Sequence, residues 1–194
     1  MKKIIYSTGE PAGIGPDLII ELASTKIWEA LGIPIVTIGD PNLFIDRAKL
    51  LKKRVKIIEI KKLDELKSNE LGSIQIIKVS ECKNTTPGKL LKSNARYVLD
   101  NLNFAIKETI VGKKTALVTG PLSKETIISI DKKFSGHTEH IQKITKSDDV
   151  LMMLASDKLK VALATTHIPL KKVAESITKD LIIKKVKILN KDLK

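Results

Sequence analysis

At 194 residues and 21.4 kDa the chain has the size of one ordinary domain or slightly more, and 42% hydrophobic against 29% charged residues excludes a disordered, collagenous or low-complexity protein. No apolar run nears the roughly 18 residues of a membrane span, the stretch after Met1-Lys2-Lys3 is too short for a signal-peptide core, and the single Cys82 excludes an intrachain disulfide framework, so a cytoplasmic protein with no membrane partner is expected. The formal charge of +13 is built almost wholly from lysine, with Arg47, Arg54 and Arg96 the only arginines and 3% aromatics, so a solvated basic surface is expected and no nucleic-acid partner.

Lys3-Ile4-Ile5-Tyr6-Ser7 reads as a short strand that runs into the loop Gly9-Glu10-Pro11-Ala12-Gly13-Ile14-Gly15-Pro16-Asp17. A helix starts there, because Pro16 suits a first helical position, Asp17 complements the helix dipole and residues 18–23 supply an apolar face. Residues 33–38 form a second buried strand, and Asp40-Pro41 caps a helix that continues to about Leu51. Two further β-rich runs cover 55–60 and 74–79, and 80–92 is a polar loop. Ala95, Val98, Leu99, Leu102 and Ala105 then mark a helix at spacings of three and four. Residues 115–119 make a strand closed by Gly120-Pro121. The strands at 150–155 and 160–165, joined by a turn at Asp157-Lys158, either extend the parallel set or pair as a hairpin. A final helix carries the stripe Leu181, Ile182, Val186, Leu189 and Leu193. Strands alternating with helices indicate an α/β architecture with a mostly parallel sheet. A lobe boundary within 127–134 gives a first lobe of residues 1–128 and a second that begins at 129 and runs to 194.

Four places can carry chemistry. In the glycine loop, Gly13 and Gly15 would let backbone amides approach an anionic cofactor at a helix N-terminus, although the bare pattern fits a tight structural turn as well. Thr119-Gly120-Pro121-Leu122-Ser123-Lys124 lies at the carboxyl end of a strand, where open parallel sheets place their ligands, and Lys124 would bind phosphate or assist proton transfer. In Phe134-Ser135-Gly136-His137-Thr138-Glu139-His140, the two histidines are three apart and do not match a zinc helix, so His137 and Thr138 read better as donors to an anionic substrate. His167, in Thr165-Thr166-His167-Ile168-Pro169, is a single imidazole, whereas a metal site needs three or four ligands.

The glycine loop, Thr119-Gly120-Pro121 with Lys124, Gly136-His137-Thr138-Glu139, Met152-Met153-Leu154-Ala155, and Ala162-Leu163-Ala164-Thr165-Thr166-His167-Ile168-Pro169-Leu170 together resemble the 4-hydroxythreonine-4-phosphate dehydrogenase (PdxA) family, in order and approximate spacing, over essentially the whole chain. The resemblance implies a two-lobed fold related to isocitrate and isopropylmalate dehydrogenases, working as a homodimer with its active site in the cleft and its C-terminal portion missing here. It implies oxidation of 4-phosphooxy-L-threonine by NAD or NADP in vitamin B6 biosynthesis, with decarboxylation to 3-amino-2-oxopropyl phosphate. His137 and Thr138 match its substrate-binding pair, and His167 matches the first of three histidines that hold a divalent metal such as zinc, magnesium or cobalt. The other two metal histidines lie beyond the point corresponding to Lys194. The expectation is therefore a truncated chain, inactive alone, or half of a split enzyme with a separate C-terminal fragment. A non-catalytic remnant and a dehydrogenase of a related phosphorylated sugar acid are the alternatives.

Overall fold

The computed structural model describes residues 2–193. Strands β1 (Lys3–Ser7), β2 (Ile35–Ile38), β3 (Lys56–Glu59), β4 (Ser73–Ile77) and β5 (Thr115–Thr119) form one sheet in the order β3-β4-β2-β1-β5, with every neighbouring pair parallel. The α/β class expected from the alternation of elements is the one observed. β2 and β4 are buried at every position, as strands of a parallel sheet covered on both faces should be. Alternate side chains feed two apolar clusters: Ile5, Val36, Ile38 and Ile77 enter one, whereas Tyr6, Ile74 and Ile76 enter the other. β5 closes one edge, with Ala116 and Val118 open to solvent.

The glycine loop leads into α1 (Gly15–Ala23), which begins with Pro16 and Asp17 in its first turn and buries Ile19, Ile20 and Ala23. A short α2 (Lys26–Ala30) follows, for which the sequence offered no separate signal; it buries Trp28, whose Nε1–H donates to the Ser73 carbonyl at 3.0 Å. α3 (Pro41–Leu50) is capped by Asp40, which accepts from Asn42 N–H at 3.1 Å. The longest helix, α4 (Ala95–Val111), packs on β1 and β5 with Val98, Leu99, Leu102 and Ala105 buried, as their spacing required. α5 (Lys124–Ile128) and α6 (His137–Thr145) complete the first compact unit, which ends at Thr145. The division thus falls later than residue 128, because α6 packs on α4 and its Ile141 and Ile144 lie against the main core.

The second compact unit starts at Lys146. Here β6 (Met153–Ala155) and β7 (Lys160–Ala162) pair antiparallel, the hairpin alternative, with Ser156 N–H donating to the Leu159 carbonyl at 2.8 Å. α7 (Val173–Ser176) precedes α8 (Lys179–Asp192), whose cap Thr178 Oγ1 accepts from Leu181 N–H at 3.2 Å. Lys185 Nζ donates to the Asp149 carboxylate at 2.9 Å and to the Val150 carbonyl at 2.7 Å, and this lysine holds the Asp149 carboxyl below the usual carboxylate range. Within this unit Leu154, Leu159 and Val186 are exposed.

Burial of Trp28 together with its bond to β4 makes it a principal anchor of the first unit. Trp28→Ala is expected to cost about 3–5 kcal/mol in urea unfolding followed by circular dichroism, and a loss below about 1 kcal/mol would contradict the packing described.

Candidate functional site

β1 lies between β2 and β5, and the crevice outside the carboxyl ends of such strands is where open α/β sheets bind ligands. Here the two strand ends interlock. Gly120 N–H donates to the Ser7 carbonyl at 2.7 Å, and Glu10 N–H to the Pro121 carbonyl at 2.9 Å. A Cβ on Gly9, which has φ +76°, would stand 2.2 Å from the Pro121 carbonyl oxygen, and one on Gly120 would stand 2.3 Å from that of Thr8. Gly15 is tighter still, its Cβ position being 1.9 Å from the Thr8 carbonyl oxygen, while that of Gly13 is 3.2 Å from the Glu10 carbonyl oxygen. The room a side chain would take at Gly15 is filled by the chain itself, and at Gly13 it is only narrowed.

Arg47 of α3 clamps this loop from behind. Its guanidinium is buried and donates to the Gly13 carbonyl at 3.1 Å, the Pro11 carbonyl at 2.7 Å and the Asp17 carboxylate at 2.8 Å. Tyr6 Oη–H donates to the Gly15 carbonyl at 2.9 Å, and burial pushes its phenol up to about 12. The 80–88 loop docks alongside through Gly88 N–H to the Ala12 carbonyl at 2.8 Å and Cys82 N–H to Asp40 Oδ2 at 2.9 Å. A cavity of about 390 Å³ opens between Asp40, Arg47, Cys82 and Thr85. Burial raises the Cys82 thiol to about 11, so it stays protonated and is no nucleophile at neutral pH.

Lys124, Gly136 and His137 come together at the first turns of α5 and α6. Ser123 Oγ caps α5 by accepting from Thr126 N–H at 3.2 Å, and Thr126 and Ile127 are buried, which fixes the backbone of Lys124. The Cβ position of Gly136 is 3.4 Å from Lys124 Nζ and 3.1 Å from Glu139 Oε2. His137 and Thr138 open α6 and are half-buried. Burial, then the proximity of His140 and Lys124, lowers the affinity of the His137 imidazole for a proton. His140 is committed elsewhere: its Nε2 hydrogen-bonds Asn103 Oδ1 of α4 at 2.7 Å, and its ring tilts against Phe134 with centroids 5.2 Å apart. Burial and Lys143 lower its proton affinity too, against an opposing pull from Asp131. No spacing in the sequence signals Arg47 or Asn103, because their partners lie some 30 to 37 positions away.

His167 belongs to the second unit. It is exposed and held in the left-handed region at φ +57°, just beyond β7. Among the described residues no group of three His, Cys, Asp or Glu side chains stands together as a metal site, so His167 is one donor of the right chemistry without a completed set. No helix among the described residues is long and apolar enough to cross a membrane.

A parallel α/β unit whose β1 and β5 ends interlock, with Lys124 and His137 meeting at the starts of α5 and α6, defines an open-sheet α/β domain of the kind that takes ligands at its strand ends. Comparison with known proteins specifies it further. Residues 31–194 match the family model of the pyridoxal phosphate biosynthetic protein PdxA, and the chain belongs to that family. It is 41% identical to the 4-hydroxythreonine-4-phosphate dehydrogenase of Pseudoalteromonas translucida over 98% of its own length and 57% of that protein's. The corresponding protein of Colwellia psychrerythraea is 39% identical, with 99% and 58% covered. Among solved structures, the 4-hydroxythreonine-4-phosphate dehydrogenase of Klebsiella pneumoniae superposes with a TM-score of 0.89 at 27% identity, over 99% of this chain and 58% of that one. That of Burkholderia phymatum gives 0.86 at 25% identity, over 96% and 56%. The chain thus spans somewhat over half the length of the relatives it matches.

The two lowered imidazoles have a thermodynamic consequence. An unfolded chain binds protons at His137 and His140 near the ordinary value of 6.5, whereas the folded chain does so only at lower pH. The unfolded state therefore takes up more protons as pH falls through that value, and stability drops. The urea midpoint is expected to fall between pH 7.5 and about 5.5, and to fall less in the double variant His137→Gln, His140→Gln; an unchanged slope in the variant would contradict the burial of these rings.

Proposed function

We propose that this chain is the amino-terminal part of an NAD-dependent oxidoreductase that acts on 4-phosphooxy-L-threonine in vitamin B6 biosynthesis. The observation that carries this reading is the meeting of Lys124, Gly136 and His137 at the starts of α5 and α6, with Thr138 next along α6, in a chain of the PdxA family. Bound NAD would supply the hydride acceptor for oxidation of the substrate's secondary alcohol, whose hydroxyl proton would be lost as the 3-oxo acid forms. Loss of carbon dioxide then breaks the bond to the carboxyl carbon, and protonation of the resulting enolate gives 3-amino-2-oxopropyl phosphate.

His137 offers a neutral imidazole and Thr138 a hydroxyl to an anionic group of the substrate, and Lys124 is the candidate catalytic cation beside them. A divalent metal would act as a Lewis acid on the substrate oxygen. His167 would be its candidate ligand among the described residues, where no group of three ligating side chains stands together. In this reading Gly13 and Gly15, at the entry to α1, are the candidate contacts for NAD, offered through their backbone. A cytoplasmic location and a homodimeric whole enzyme belong to the same reading.

The test is steady-state kinetics in a full-length enzyme that carries this sequence. His137→Ala removes a charge-assisted contact worth roughly 1.5–3 kcal/mol, so apparent substrate affinity should fall by one to two decades. His167→Ala should abolish turnover while leaving the urea midpoint almost unchanged, because an exposed ring contributes little to packing. Unchanged KM and kcat in His137→Ala would refute the substrate assignment, and full activity in His167→Ala would refute the metal assignment.

A further inference from the structure

The loop between α5 and α6 is folded so as to bring two first turns together. Asp131 N–H donates to the Ile127 carbonyl at 2.9 Å, and Phe134 N–H donates to the Asp131 carbonyl at 3.1 Å. The chain then returns to Gly136, whose carbonyl accepts from His140 N–H at 3.1 Å and opens α6. Gly136 is buried with φ +150°, and its Cβ position lies 3.3 Å from Lys124 Cε and 3.4 Å from Nζ. Any side chain there would be strained in its backbone and would press on the lysine.

We propose that Gly136 is the opening through which Lys124 reaches the start of α6, and that Lys124 supplies the fixed positive charge against which His137 and Thr138 hold the phosphoryl group of the substrate. The inference rests on the reading that this pair binds a phosphorylated hydroxy acid, and adds to it the source of the charge. A neutral imidazole makes hydrogen bonds but does not neutralise a dianion. Arg47, the buried guanidinium of the same unit, is spent on Asp17 and two loop carbonyls. Lysine is a compact charge that suits a tetrahedral phosphoryl group from several directions. The charged groups around His137 are Lys124 from α5 with Glu139 and His140 from α6, while Asp131 and Lys143 flank His140.

The experiment is NMR titration of the 194-residue chain with inorganic phosphate, read at the ring protons of its three histidines, with acetate in a parallel arm. Phosphate is expected to shift His137 saturably and acetate to do so more weakly. Lys124→Met should weaken the phosphate response about tenfold and raise the proton affinity of His137, while Lys124→Arg keeps most of both. Gly136→Ala should weaken the response less than Lys124→Met, because its Cβ meets the flexible end of the lysine, which can shift. Because Lys124 is exposed, its substitution leaves the fold intact and decides the matter even if Gly136→Ala unfolds. Equal phosphate binding in the wild type and Lys124→Met overturns the role of the lysine and leaves the substrate reading standing. Acetate as tight as phosphate overturns the phosphoryl assignment, and a wild-type His137 that phosphate does not move overturns both the inference and the reading beneath it.

Discussion

The backbones at the ends of β1 and β5 approach so closely that no side chain fits between them, and the rest of the first unit is arranged around that contact. With Cβ positions 2.3 Å or less from a carbonyl oxygen across the two strand ends, Gly9 and Gly120 are steric requirements of that contact, and Gly15, 1.9 Å from the Thr8 carbonyl oxygen, is one of the turn from β1 into α1. The loop they form is then held at its back by the buried Arg47 and from within by Tyr6, so its conformation is set from three elements at once.

That rigidity determines where the chemistry can sit. Because Gly120 and Pro121 are tied to β1, the start of α5 has a fixed origin, and the cap of Ser123 with burial of Ile127 sets the direction in which Lys124 leaves. α6 is fixed from its other side, by Ile141 and Ile144 in the core and by the bond from His140 to Asn103. His137 and Lys124 are thereby held as a neutral ring next to a charged ammonium, an arrangement that suits recognition of an anion better than nucleophilic attack.

Much of the fold was legible in the residues. The apolar runs of β2 and β4 are buried on both faces, as is β1 from Ile5 on, and such strands show themselves as continuous hydrophobic stretches. α4 was legible because one amphipathic face carries its packing. The strand read at 160–165 shortens to Lys160–Ala162, with one further bond from Leu163 N–H to the Met152 carbonyl at 2.9 Å. α2 escaped notice because five residues leave too little periodicity to detect, and Arg47 because its ligands are carbonyls, which carry no residue signature. The reading of His137 and Thr138 as anion donors came from the residues themselves, whereas the candidate metal role of His167 came only from family resemblance, since a single imidazole leaves it open.

Native-state hydrogen exchange at Gly120 and Glu10 tests the central claim most directly, since these amides carry the bonds that join β1 to β5. If the interlocked glycines define the unit, both amides exchange only through global unfolding, and their protection follows the urea-derived stability of the first unit. Exchange of either amide at low denaturant, independent of that stability, would mean that the strand ends open locally and that the site is not built on a fixed base.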